Sequence, residues 1–234
     1  MRPVSCRGTL GDTFICMVKM YGKRQRYVVN HHTIHRYLLP QIEEIYYLIG
    51  NIELRFVRKP RIDLEEITSD VHEQDPEFFP MFDIYRKYFF KKPYHVIQPH
   101  SGKPVGFNNK VLPVHWVEDV VLTLQARGER CVLVGTDAKY AHISGCINLI
   151  GRTTIRDVMS IITYADQFTG VEGLFAFFAL SQKKPSFVFY AEEAAVKRRI
   201  IDSPWEDYVT LSHISEYNDY LDDKDSLILQ DIRD

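Results

Sequence analysis

Long hydrophobic runs are missing from the chain. No window of its 234 residues approaches the 18 uninterrupted apolar residues of a membrane span. The opening Met1-Arg2-Pro3-Val4-Ser5-Cys6-Arg7-Gly8 lacks the apolar core of a signal peptide. Cysteine is sparse: Cys6, Cys16, Cys131 and Cys146 form no CxxC pair and have no zinc-ligand spacing. Three of them lie in or beside apolar runs, so buried thiols in a reducing compartment are expected. A soluble protein of the cytoplasm follows, or of a host's cytoplasm if the gene is viral.

An excess of one charge is missing too. Lys+Arg 29 against Asp+Glu 31 leaves a net charge of −2, which disfavours binding nucleic acid through bulk positive charge. A local basic face stays open, since Arg55, Arg58, Lys59, Arg61, Arg86, Lys87, Lys91 and Lys92 cluster in the first half, where a solvated surface is the default. His31, His32 and His35 give HHxxH without the Glu of a metalloprotease helix, and Asp222-Asp223-Lys224-Asp225 reads as a solvated face, so no metal site is expected. The GxGxxG dinucleotide fingerprint and the P-loop are absent, and no Ser-His-Asp or Cys-His arrangement can be assembled.

What is present is an ordinary globular composition rich in core-filling rings: 45% hydrophobic residues, 14 Tyr and 14 Phe. The length predicts one large domain or two small ones. Short β-rich runs alternate with amphipathic helical stretches, the pattern of parallel α/β sheets. Strands are predicted at 4–7, 26–30, 52–57, 94–98, 130–134, 147–150, 167–169 and 186–190. Helices are predicted at about 13–21, 40–49, 114–127 and from the cap Thr153 or Thr154 to Tyr164, with a further apolar helix after Gly173. A polar loop is expected at the three histidines, and the rhythm breaks between Pro60 and Lys92. Expected boundaries are 1–92 for a short N-terminal domain with its connector, 93–211 for a second domain, and 212–234 for an acidic helix.

The loops after strands collect the polar chemistry: residues 8–12, 99–103, 135–137 and 170–173. In parallel sheets ligands bind at the carboxyl ends of the strands. Gly8-Thr9-Leu10-Gly11-Asp12 opens a helix, where two glycines let backbone approach a ligand, although Asp12 is equally suited to cap that helix. Gly170-Val171-Glu172-Gly173 also opens a helix and would offer free N–H groups to a pyrophosphate; Glu172 would be favourable there as a dipole partner alone. Ser101, Lys103 and Lys110 place hydroxyl and ammonium groups after a strand, suited to phosphate oxygens or to a solvated loop.

The order of these loops resembles glycosyltransferase family 9, the ADP-heptose:lipopolysaccharide heptosyltransferase type. The resemblance runs from Gly8-Thr9-Leu10-Gly11-Asp12 through His100-Ser101, Lys110, Pro113 and Trp116. It continues at Cys131-Val132-Leu133-Val134-Gly135, Ile147-Asn148-Leu149-Ile150-Gly151-Arg152-Thr153-Thr154-Ile155, Ala165 to Gly173, and Lys184-Pro185. It implies an α/β, GT-B-like fold of two facing Rossmann-like domains with a cleft between them. It also implies Asp12 as catalytic base, Gly8 and Gly11 in its turn, and donor pyrophosphate on Ser101 and Lys110, with Lys103 as a substitute. The nucleoside would lie at Gly135, Thr136 and Asp137, and Glu172 and Gly173 would complete the donor site. No metal or cofactor is implied beyond a nucleotide-diphosphate sugar as co-substrate. Val171 stands where the family reads Asp, Ala176 stands where it reads His, and the N-terminal half is short.

The expected function is therefore inverting, metal-independent transfer of a sugar from a nucleotide-diphosphate sugar to an acceptor hydroxyl. The acceptor would be a glycan, a small molecule or a hydroxymethylated phage DNA base. Two alternatives stay open: a catalytically silent GT-B-like nucleotide-sugar-binding module, and a nucleotide-sugar epimerase-like enzyme.

Overall fold

The computed structural model describes residues 1–21, 23, 25–50, 52–69, 80, 82, 84, 87–88, 90, 93–101, 110–201 and 203–218. Lys103, Arg86, Lys91, Lys92 and the 222–225 acidic run lie outside them. The chain divides into two compact units, one of Met1–Asp83 with Lys197–Glu206, the other of Ile84–Val196 with Asp207 onward.

The first unit holds β1 (Arg2–Arg7), α1 (Leu10–Met20), β2 (Tyr27–His32), α2 (Leu39–Tyr46), β3 (Ile52–Phe56) and β4 (Glu65–Ile67). Its sheet has the order β3-β2-β1-β4, parallel throughout. Val4, Cys6, Phe14, Ile15, Val18, Val29, Ile42, Ile45 and Tyr46 are buried in its core. Each large apolar side chain so enclosed contributes about 1.5–3 kcal/mol. Two expectations are corrected here. The histidine loop is partly strand: His31 and His32 end β2, because His31 is fully buried with Nδ1 3.1 Å from the Tyr46 hydroxyl. The stretch after Pro60 also contributes a strand, β4, which pairs with β1 from Val4↔Glu65 to Cys6↔Ile67.

The second unit holds β5 (Tyr94–Gln98), α3 (Val114–Ala126), β6 (Arg130–Leu133), β7 (Ile147–Asn148), α4 (Ile155–Thr163) and β8 (Gln167–Val171). It continues with α5 (Leu174–Ser181), β9 (Ser186–Tyr190) and β10 (Val209–His213); α6 (Glu193–Arg199) intervenes before β10. The sheet order is β10-β9-β8-β5-β6-β7, again all parallel. α5 is apolar on every side and buried accordingly. Trp116 meets Phe189 edge-on at 5.0 Å in a core that includes Ile97, Leu112, Val121, Leu133 and Phe187. The acidic tail helix is corrected where it is described: Ser212 and His213 end β10, and Ile214–Asn218 form a 3₁₀ turn.

Cys6, Cys16 and Cys131 are buried free thiols, and Cys146 is half-buried. Among the described residues no helix is long and apolar enough to cross a membrane. Among them, too, no group of three or more His, Cys, Asp and Glu is arranged to hold a metal ion.

Candidate functional site

A parallel sheet opens a crevice where the strand order reverses, because the loops after the two neighbouring strands leave in opposite directions. In the first unit β1 lies between β2 and β4, so the loop after β1 stands at the reversal. In the second, β5 and β8 are the neighbours at the reversal. Both places fall on loops that the sequence marked.

At the first, Thr9 is the N-cap of α1 and Asp12 sits in the first helical turn. The Asp12 carboxylate reaches back: Oδ2 accepts from the Thr9 backbone N–H at 2.9 Å and from the Thr9 hydroxyl at 3.1 Å. Asp12 is thus not the cap residue but the acid that completes a capping box. Its other oxygen, Oδ1, accepts from Arg199 Nη2 at 2.6 Å. Gly8 has φ +119°, and a Cβ there would come within 2.5 Å of the Asp12 side chain. The turn therefore requires glycine both for its backbone and for the room Asp12 occupies. Gly11 lies inside α1 rather than in the loop.

At the second, the chain leaves β5 through Pro99 and returns at residues 110–112, joined by Ser101 N–H to Lys110 O at 3.2 Å and Leu112 N–H to Pro99 O at 2.9 Å. Lys110 Nζ donates to Glu172 Oε2 at 2.7 Å. Glu172 is enclosed, whereas a fifth of the Lys110 side chain is exposed. Gly173 is the N-cap of α5, and a Cβ there would lie 3.6 Å from the Ser101 Cβ. Ser101, Lys110, Glu172 and Gly173 are thus brought together at the start of a helix, whose first N–H groups and dipole favour an anion.

The turn after β6 belongs to the same end of the sheet. His100 Nε2 lies 3.3 Å from Thr136 N and 3.2 Å from Asp137 N. Asp137 caps the following 3₁₀ turn, accepting from Lys139 N–H at 3.2 Å. The ring of Tyr140 stacks on His100 with centroids 5.7 Å apart, and burial pushes its phenol well above the usual range. Arg199 was missed in the sequence, and His100 was marked beside Ser101 without a role of its own. Arg199 is 187 residues from its partner, beyond any spacing rule. His100 had a signal in Gly135, a glycine that keeps a neighbour's space open. Three members of the basic clusters pair with acids: Arg55 with Glu53 and Arg61 with Asp63, each two residues away, and Lys87 with Asp157, 70 residues away.

No protein-family model and no curated protein sequence matches the chain. Solved structures do match. The glycosyl transferase family 9 protein of Veillonella parvula aligns with TM-score 0.59 over 98% of this chain and 91% of its own, at 8% identity. The Escherichia coli heptosyltransferase WaaC with ADP aligns with TM-score 0.57 over 96% and 98%, at 9% identity. The dodecameric iron-containing heptosyltransferase TibC of enterotoxigenic E. coli, in complex with ADP-D-β-D-heptose, aligns with TM-score 0.54 over 87% of this chain, at 15% identity. There this chain spans 61% of the TibC chain. The fold is that of the GT-B, heptosyltransferase-like glycosyltransferases, with two parallel-sheet α/β units.

Proposed function

We propose that the chain transfers a sugar from a nucleotide-diphosphate sugar to an acceptor hydroxyl, with inversion at the anomeric carbon. The observation that carries this reading is the meeting of Ser101, Lys110, Glu172 and Gly173 at the reversal of the second sheet, in a fold shared with enzymes solved with ADP and ADP-heptose. The Lys110 ammonium has three donors, and Glu172 takes one of them. The others, with the Ser101 hydroxyl and the α5 N-terminus, compensate charge growing on the departing nucleoside diphosphate. Turn 135–137 receives the nucleoside. Asp12 takes the acceptor's proton as the acceptor oxygen bonds to the anomeric carbon and the bond to the diphosphate oxygen breaks. Lys103, outside the described residues, is a substitute for Lys110 on the resemblance alone. The protein works in the cytoplasm, and the acceptor is a glycan, a small molecule or a hydroxymethylated base.

A second reading, a nucleotide-sugar-binding module without turnover, is favoured by one observation. Both Asp12 oxygens are engaged, one by Thr9 and one by Arg199, so donors from the protein already stand where an acceptor hydroxyl would have to approach. The experiment is release of nucleoside diphosphate from a panel of nucleotide sugars including ADP-heptose, with and without hydroxyl acceptors. The proposal expects acceptor-dependent release by the wild type and none by a folded Asp12→Asn variant. Diphosphate or nucleotide-sugar binding without release selects the silent module, and release undiminished in Asp12→Asn removes Asp12 from the chemistry.

A further inference from the structure

We propose that His100 is a positioning residue, its imidazole holding the backbone of Thr136 and Asp137 so that turn 135–137 keeps the shape that receives the donor's nucleoside. The link to the nucleoside rests on the functional reading above; the hold on the turn does not.

The β5–β6 ladder runs out just before this point. Its register ends at Ile97↔Leu133, and Val134 N–H then donates to Ile97 O at 3.0 Å. Beyond it, the amides of Thr136 and Asp137 need an acceptor that the neighbouring strand no longer supplies. His100, 5% exposed, provides one from its side chain: Nε2 lies 3.3 and 3.2 Å from the two amide nitrogens, and 3.2 Å from the Thr136 hydroxyl oxygen. A backbone N–H can only donate. Nε2 must therefore present its lone pair, and the ring is neutral with its proton on Nδ1.

Two further features fit the ring to this task. Tyr140 lies nearly parallel to it, at 13°, and is itself anchored by its hydroxyl donating to Leu112 O at 2.5 Å. Gly135 has φ +143°, and a Cβ there would lie 2.6 Å from His100 Cε1. The turn admits an imidazole because position 135 has no side chain. A single ring thus clamps the loop after β6 to the loop after β5, which carries Ser101, so that the two loops assigned to nucleoside and pyrophosphate share one joint.

Two variants test this. His100→Gln places an amide oxygen near the position of Nε2, whereas His100→Phe keeps the stack on Tyr140 and offers no acceptor. Amide hydrogen exchange at Thr136 and Asp137, nitrogen NMR of the His100 ring, and titrations with ADP, UDP, GDP and CDP are measured on all three full-length proteins. Expected are an Nδ1–H ring in the wild type and slow exchange at both amides. His100→Phe should exchange about tenfold faster there, with a diphosphate Kd about tenfold weaker, and His100→Gln should restore both to within about twofold. Unchanged exchange in His100→Phe, or an Nε2–H ring in the wild type, overturns the hold on the turn. Faster exchange with unaltered diphosphate affinity overturns the link to the nucleoside. A wild type with the expected ring and exchange that binds none of the four diphosphates overturns the functional reading while upholding the clamp.

Discussion

His31 offers a sharp perturbation, because pH alone acts on it. It is fully buried at the end of β2, with Nδ1 3.1 Å from the Tyr46 hydroxyl and Phe56 edge-on at 6.4 Å. Burial lowers its pKa to about 4; His32 adds to this, while the Gly8 backbone and Asp12 oppose it. An unfolded histidine titrates near 6.5. Between these values the unfolded chain takes up a proton that the folded chain refuses, so stability is full above pH 6.5 and falls as pH drops towards 4. A difference of about 2.5 units at about 1.36 kcal/mol each gives a loss of about 3 kcal/mol across that window. Urea unfolding at pH 7 and pH 4.5 measures it, and His31→Asn removes the titrating group while leaving an amide to meet Tyr46. Trp205 lies buried in the first unit and Trp116 in the second, so fluorescence reports on both. The wild type should lose about 2–3 kcal/mol more than His31→Asn in the first unit's transition. Equal losses in the two proteins, or a His31 resonance titrating near 6.5, would refute the reasoning.

Gly8→Ala should destabilise the first unit by about 2–3 kcal/mol in denaturant melts, since it combines a positive φ with a collision at Asp12. Lys110→Met leaves the enclosed Glu172 carboxylate without its ammonium and should cost about 2–3 kcal/mol; adding Glu172→Gln should recover most of it, and a double variant no better than the single would deny the coupling. Arg199→Gln should destabilise the first unit by about 1–2 kcal/mol in denaturant melts, because Asp12 Oδ1 loses the guanidinium that donates to it. An unchanged midpoint would show that the pair adds nothing to the turn's stability.

Much of the fold was legible where local chemistry and burial agree. β5 is Tyr94–Gln98 as its apolar run predicts, Thr154 caps α4, and Gly128 ends the α3 stretch at φ +73°. What escaped was held by tertiary context. Glu65-Glu66-Ile67 has no strand-like alternation, yet it pairs with β1, and Glu65 and Glu66 bond to Arg2 and Arg7. His31-His32 reads as loop until Tyr46 supplies a partner. The site was legible by residue and not by pairing: Lys110 and Glu172 were each marked, but a separation of 62 residues gives no spacing that joins them. Asp12 was marked with its role as a helix acid left open, and the structure supplies both that role and a cation from far along the chain.

The most direct test of the central claim is calorimetric titration of the full-length protein with ADP, UDP, GDP and CDP, repeated on Lys110→Ala. The account predicts that one diphosphate binds the wild type and, at about 100 times its Kd, stabilises it by about 2.7 kcal/mol in thermal melts, with binding lost in the variant. A wild type that binds none of them, or a Lys110→Ala variant that binds as tightly as the wild type, would contradict it.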